Sequence, residues 1–242
     1  MTAPRVLVIV HDLDDNLNEF AAPLAEAGLF LDTWDAAKDF DSRPALDDLS
    51  KYSGIISLGA HNGIMDEPDL EWMQYERKIV EYALETETPF FGLCFGSQIL
   101  ASVAGGDFKP SPVPELGWTQ VEMKPEAKND PVLSKLGDSL HAFHFHYDSY
   151  TLPENVAILG ETDGIIEAFR VGSAAWATQF HIEVGLNQQL AWLTSYRSSF
   201  VKEGKDVDEQ ARLSHENFLE YRRRAHETAS AFAEQVKAFA AK

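Results

Sequence analysis

Pro89-Phe90-Phe91-Gly92-Leu93-Cys94-Phe95-Gly96-Ser97-Gln98-Ile99-Leu100-Ala101-Ser102-Val103-Ala104-Gly105-Gly106 is the stretch that decides the fold. Residues 89–93 are apolar and short, as a strand buried on both faces reads, and Ser97 to Ala104 follow as a helix that Gly105-Gly106 ends. The chain's only cysteine sits at the junction, with glycines two before and two after it. Such a Gly-x-Cys-x-Gly bend is the thiol counterpart of a nucleophile elbow, in which Cβ atoms at the flanking positions would strike nearby backbone. The side chain then projects from the carboxyl end of the sheet, where α/β sheets place their sites. The helix N-terminus favours thiolate, and the Phe95 N–H is placed to hold an oxyanion. A buried, inert Cys94 is the competing reading.

The same rhythm extends in both directions. Val6 to Val10 reads as a buried strand, Leu17 to Leu24 as a helix closed by Gly28, Leu29 to Trp34 as a second strand and Gly54 to Gly59 as a third. Asp69 to Glu85 has helical periodicity. Alternating strands and helices predict an α/β fold with an open, mostly parallel central sheet flanked by helices. Beyond Gly106 the segments are short, aromatic and β-branched: Trp118–Met123, His141–His146, Ala157–Gly160, Ile165–Arg170 and Ala175–Phe180. They read as strands and hairpins added to the same sheet. From Leu186 the chain is helical. Asp206-x-x-Glu209 resembles a capping box, and Phe218, Tyr221, Ala225, Ala229, Phe232, Val236 and Phe239 mark one helix face. That stripe packs on the sheet, or else makes a homodimer contact. The expected division is a domain over residues 1–195 and a C-terminal helical extension over residues 196–242.

The chain has 242 residues, with 20 Lys+Arg against 39 Asp+Glu, a formal charge of −19. Its field repels phosphate, which argues against nucleic acid and anionic membrane surfaces as partners. Arg222-Arg223-Arg224 lies among glutamates in a helical pattern and reads as a solvated face. No window approaches the ~18 apolar residues of a membrane span, and the N-terminal apolar run is too short for a signal peptide, so a soluble cytoplasmic protein is expected. One cysteine excludes an intrachain disulfide and a cysteine-rich zinc site.

A thiol nucleophile needs a base. Of the eight histidines, His181 closes an apolar run and has Glu183 two residues on, so imidazole and carboxylate can share one end of the sheet. A satisfied surface histidine is the alternative. His141-x-x-His144-x-His146 invites a metal reading. In an extended strand 144 and 146 share a face and 141 points away, and with no carboxylate or thiol placed beside them no metal is expected.

At this point the residues match a family. The chain resembles the class I glutamine amidotransferases, particularly stand-alone proteins similar to the amidotransferase domain of GMP synthase. Gly92, Leu93, Cys94, Gly96 and Gln98 meet the family's nucleophile motif. Gln179, Phe180, His181 and Glu183 meet its histidine motif, with Ile182 in place of proline. Leu58-Gly59-Ala60 aligns with its Gly-Gly-Pro turn and keeps only the second glycine. Glu115-Leu116-Gly117-Trp118 and His146-Tyr147-Asp148 resemble two further motifs. The resemblance covers roughly residues 5 to 195.

It implies a Cys94–His181–Glu183 triad, oxyanion N–H groups from Gly59 and Phe95, and substrate contacts from Gln98 and from the backbone near His146 and Tyr147. The implied reaction releases ammonia from glutamine through a γ-glutamyl thioester and needs no cofactor. A γ-glutamyl peptidase or hydrolase with the same triad is the alternative, and a non-catalytic interaction module is the third reading. No ATP-binding signature occurs and the helical tail is too short for an amination domain. The implied acceptor of ammonia is therefore a separate synthetase partner, or there is none.

Overall fold

A computed structural model describes residues 3–242. One nine-stranded sheet runs through it in the order β2-β1-β3-β4-β9-β8-β7-β5-β6. Strands β1 (Arg5–Val10), β2 (Phe30–Asp35), β3 (Gly54–Ser57), β4 (Phe90–Leu93) and β9 (Ala175–Thr178) pair in parallel. Strands β8 (Ile165–Val171), β7 (Ala157–Thr162), β5 (Asp107–Met123) and β6 (Ser139–Thr151) extend it antiparallel. The predicted architecture is thus observed, with the parallel half carrying the helices and the antiparallel half built from hairpins.

Burial on both faces explains the apolar strand runs. Val6 and Val8 point into one core and Leu7 and Ile9 into the other, as the period of two requires. Helices α2 (Glu71–Thr86) and α3 (Phe95–Val103) cover the second face through Met73, Ile79, Val80, Ile99 and Leu100. The first face is covered by α1 (Ala21–Glu26), α4 (Leu186–Ser195) and α6 (Val207–Ala240), with α5 (Arg197–Lys202) linking the last two.

Helix α6 spans 34 residues, about 50 Å at 1.5 Å per residue. Its N-cap is Asp206, whose carboxylate accepts from the Asp208 and Glu209 amides; Glu209 itself turns to Arg212. The predicted stripe from Tyr221 to Val236 is buried against the chain's own sheet: Phe232 meets Phe91 and Trp176 edge-on at 5.6 and 6.2 Å. Of the three arginines, Arg222 and Arg223 pair with surface glutamates, whereas Arg224 donates to the Leu136 and Ser139 carbonyls.

Strands β5 and β6 are longer than the sequence pattern suggests. Pro110, Pro112 and Pro114 interrupt the alternation of β5, and its register with β6 breaks between Pro110 and Glu115. Gly117 has φ +82°, and a Cβ there would lie 2.1 Å from Gln210 Oε1. That oxygen accepts from the Trp118 N–H, tying β5 to α6. Trp118 is core, packed on Phe143 and Tyr221. Among the described residues, no helix is long and apolar enough to cross a membrane.

Candidate active site

The bend between β4 and α3 has the form the glycines predict. Cys94 adopts φ +50° and ψ −104°, a strained conformation for a side chain other than glycine. A Cβ on Gly92 would lie 2.2 Å from the Gly96 carbonyl oxygen, and one on Gly96 would lie 2.2 Å from that of Ser57. The Cys94 and Gly96 amides donate to Thr178 and Leu58, and the Ser97 and Gln98 amides to the Cys94 carbonyl. Among the described residues the Phe95 N–H has no hydrogen-bond partner, so it is free to meet an incoming oxygen.

His181 lies three residues beyond the end of β9, in the loop before α4, and not on a strand. Distant elements hold it there. Its N–H donates to the Phe143 carbonyl at 2.9 Å, its carbonyl accepts from the Tyr221 hydroxyl of α6 at 2.7 Å, and Trp192 packs edge-on against the ring at 4.8 Å. Ile182, standing where the family has proline, is fully buried. Nδ1 of His181 is 2.7 Å from Glu183 Oε1, and both residues are buried. Burial opposes protonation of this imidazole, but the charges of Cys94 and Glu183 outweigh it and hold its pKa well above the ordinary histidine value.

Cys94 and His181 line one narrow pocket with Asp12, Asp14, Asp15, Ala60, His61, Phe145 and Trp192. Gly59 stands over it: a Cβ there would lie 2.2 Å from Asp15 Oδ2 and 2.9 Å from the His181 ring. The Gly59 carbonyl is 3.0 Å from His11 Nδ1; His11 Nε2 is 2.7 Å from Glu76, whose other oxygen accepts from Ser57. This buried chain fixes the turn although its family counterpart has an extra glycine and a proline.

The other predicted contacts are less direct. Gln98 is buried, and its side-chain oxygen accepts from the Ile64 N–H instead of capping its own helix. The His146 side chain turns inward, its Nδ1 3.2 Å from the Asp148 carbonyl, and Tyr147 is exposed; neither lines the pocket, where their neighbour Phe145 does.

Asp15 is the residue that sequence reasoning missed. Its carboxylate is buried 4.0 Å from His181 Nδ1. Burial and the Glu183 charge push its pKa up to about 7, against the pull of His181, His11 and the Gly59 backbone. The signal was its place just past β1, at the carboxyl end of the sheet. Gln179 was likewise legible only as motif: its amide nitrogen lies 3.8 Å from Cys94 Sγ.

Residues 20–195 match the family model for glutamine amidotransferase class-I. The chain belongs to the class I glutamine amidotransferase family. A glutamine amidotransferase of known structure from Thermotoga maritima superimposes with a TM-score of 0.84 at 26% identity, over 97% of this chain and 100% of that one. The glutamine-hydrolysing component of the GMP synthase of Sulfurisphaera tokodaii is 32% identical over 139 residues, 56% of this chain and 70% of that protein. A γ-glutamyl-L-1-hydroxyisopropylamide hydrolase from Pseudomonas is 27% identical over 165 residues. That match covers 64% of this amidotransferase-family chain and 55% of the hydrolase, so the chain spans about half the relative's length.

Proposed function

We propose that this protein hydrolyses the side-chain amide of glutamine through a γ-glutamyl thioester on Cys94. The observation that carries this reading is the convergence of Cys94 and the His181–Glu183 pair on one pocket. Cys94 sulfur, as thiolate, attacks the amide carbon. The negative charge that develops on oxygen is received by the N–H groups of Phe95 and Gly59, and His181 passes its proton to the departing ammonia. Water then attacks the thioester, with His181 as base, and glutamate leaves. Glu183 keeps the imidazole oriented and stabilises its cationic form. Gln98 and the backbone near His146 and Tyr147 bind the amino-acid end of the substrate. A synthetase partner, of the kind that the GMP synthase relative implies, receives the ammonia.

Incubation with glutamine is expected to release glutamate and ammonia in equal amounts, with a glutamyl adduct on Cys94 by mass spectrometry. Cys94→Ala should lower turnover by ~10⁴-fold or more. Glu183→Gln should lower kcat by ~10²-fold or more and move its pH dependence downward, because one of the charges that raise the His181 pKa is gone. Turnover that survives Cys94→Ala rejects the thioester.

The Pseudomonas relative and the acidic pocket wall of Asp12, Asp14 and Asp15 favour a second reading, a hydrolase of γ-glutamyl amides with an amine leaving group. It predicts faster turnover of γ-glutamyl alkylamides than of glutamine under the same conditions.

A further inference from the structure

Beside the pocket, a second polar group lies sealed in the antiparallel half of the sheet. Glu115 comes from β5, His144 and His146 from β6, and Glu167 from β8; all four are at least nine-tenths buried. His144 and His146 share one strand face, as their spacing dictates, while His141 on the other face is exposed. Strand pairing sets Glu115 opposite His146. Glu167 arrives from two strands further on, because the sheet curls until β6 approaches β8.

We propose that Glu115, His144, His146 and Glu167 form a binding site for one divalent transition-metal ion of the zinc type. The four donor atoms lie within 4.8 Å of one another. His144 Nδ1 is 3.2 Å from His146 Nε2 and 3.5 Å from Glu167 Oε2, and His146 Nε2 is 3.6 Å from Glu115 Oε2. Ligands at zinc's usual 2.0–2.1 Å in a tetrahedron stand about 3.3 Å apart, so these separations are those of a tetrahedron's edges. The two ion-pair distances are, by contrast, long for hydrogen bonds.

Satisfaction of the buried groups leads to the same conclusion. Among the described residues, both Glu167 carboxylate oxygens and Glu115 Oε2 lack any hydrogen-bond partner. Two buried carboxylates side by side are costly unless paired or bound to a metal. One divalent cation balances their charge, and two neutral imidazoles complete the donor set. Burial lowers the pKa of both histidines, which leaves lone pairs for a metal. The His146 Nδ1–H is directed to the Asp148 carbonyl, the outer-shell bond that fixes the tautomer presenting Nε2. The donors that the histidine pattern lacked in one dimension are the two glutamates that the sheet supplies in three.

Such an ion ties β5, β6 and β8 together. The Glu167 carbonyl accepts from the Gln179 N–H at 2.7 Å, so the tie is one peptide from the residue facing Cys94. No triad atom is a ligand, and the inference stands apart from the thioester chemistry.

The full chain, without a histidine tag, is produced in zinc-supplemented medium or refolded with equimolar Zn²⁺, and its metal content is measured. One zinc per chain is expected in wild type and in Cys94→Ser, and fewer than about 0.1 in His144→Gln and Glu167→Gln. Cobalt-substituted wild type should show ligand-field bands without a thiolate-to-cobalt charge-transfer band. Zinc-free wild type after refolding with Zn²⁺, unchanged content in the folded variants, or a thiolate charge-transfer band each overturns the site. If the variants do not fold, the wild-type content and cobalt spectrum decide.

Discussion

The two halves of the candidate active site are held in opposite ways. The Cys94 half is local: within residues 92–98, two glycines permit the bend, and the helix that follows supplies the free amide. The His181 half is assembled from afar. Phe143, Tyr221, Trp192, Glu183 and Asp15 reach its loop from β6, α6, α4, the loop itself and the end of β1. Damage to the first half should therefore abolish the site outright, while damage to the second should be graded and depend on conditions.

Gly96→Ala tests the local half and carries the largest expected effect. Its Cβ would meet the Ser57 carbonyl oxygen, a backbone atom that cannot turn aside. Urea denaturation should show a loss of about 3 kcal/mol or more, and glutaminase turnover should vanish in the folded fraction. Near-wild-type turnover would mean that the elbow tolerates a shift, and the contrast between the halves would fail.

Asp15→Asn comes next. The folded-state pKa of Asp15, about 7, exceeds the ordinary carboxylate value, so the folded chain holds this proton more tightly than the unfolded one. Its contribution to stability is full below the unfolded pKa near 4 and is lost as pH rises through about 7. Asparagine has no charge to bury. The stability advantage of Asp15→Asn over wild type, followed by urea denaturation, should therefore grow between about pH 4 and pH 8, reaching up to a few kcal/mol. A difference that does not change with pH would remove Asp15 from the electrostatics of the His181 half.

Tyr221→Phe should have the smallest effect. It removes a hydroxyl that donates to the His181 carbonyl and accepts from the Phe143 N–H. A loss of about 1–3 kcal/mol is expected, with kcat reduced more than KM changed. Stability lost with kcat intact would show that α6 supports the fold without positioning His181.

These contrasts track what the chain makes legible. The elbow, the parallel strands and the buried stripe of α6 could be read because glycine placement, apolar runs and helical spacing report on backbone within a few residues. The Cys94, His181 and Glu183 positions were legible by resemblance, and Gly59 by the one glycine left in its turn. Asp15 was not, since Asp12-x-Asp14-Asp15 reads as a polar loop until β1 is set beside β3. The ends of β5 and β6 were obscured by prolines 110, 112 and 114. The roles expected of His146 and Tyr147 rested on motif order, and motif order does not reveal that the imidazole turns inward.

The sequence by itself determined the local geometry: a strand, a bend only glycine-flanked backbone can make, a helix start, and two histidines on one strand face. The tertiary structure decided which charges meet. Asp15 reached His181, and Glu115 and Glu167 reached His144 and His146, through strand pairing and sheet curl. Backbone preference acts over a turn or two, whereas the energy of a buried charge depends on every group within several ångströms, whatever its distance along the chain.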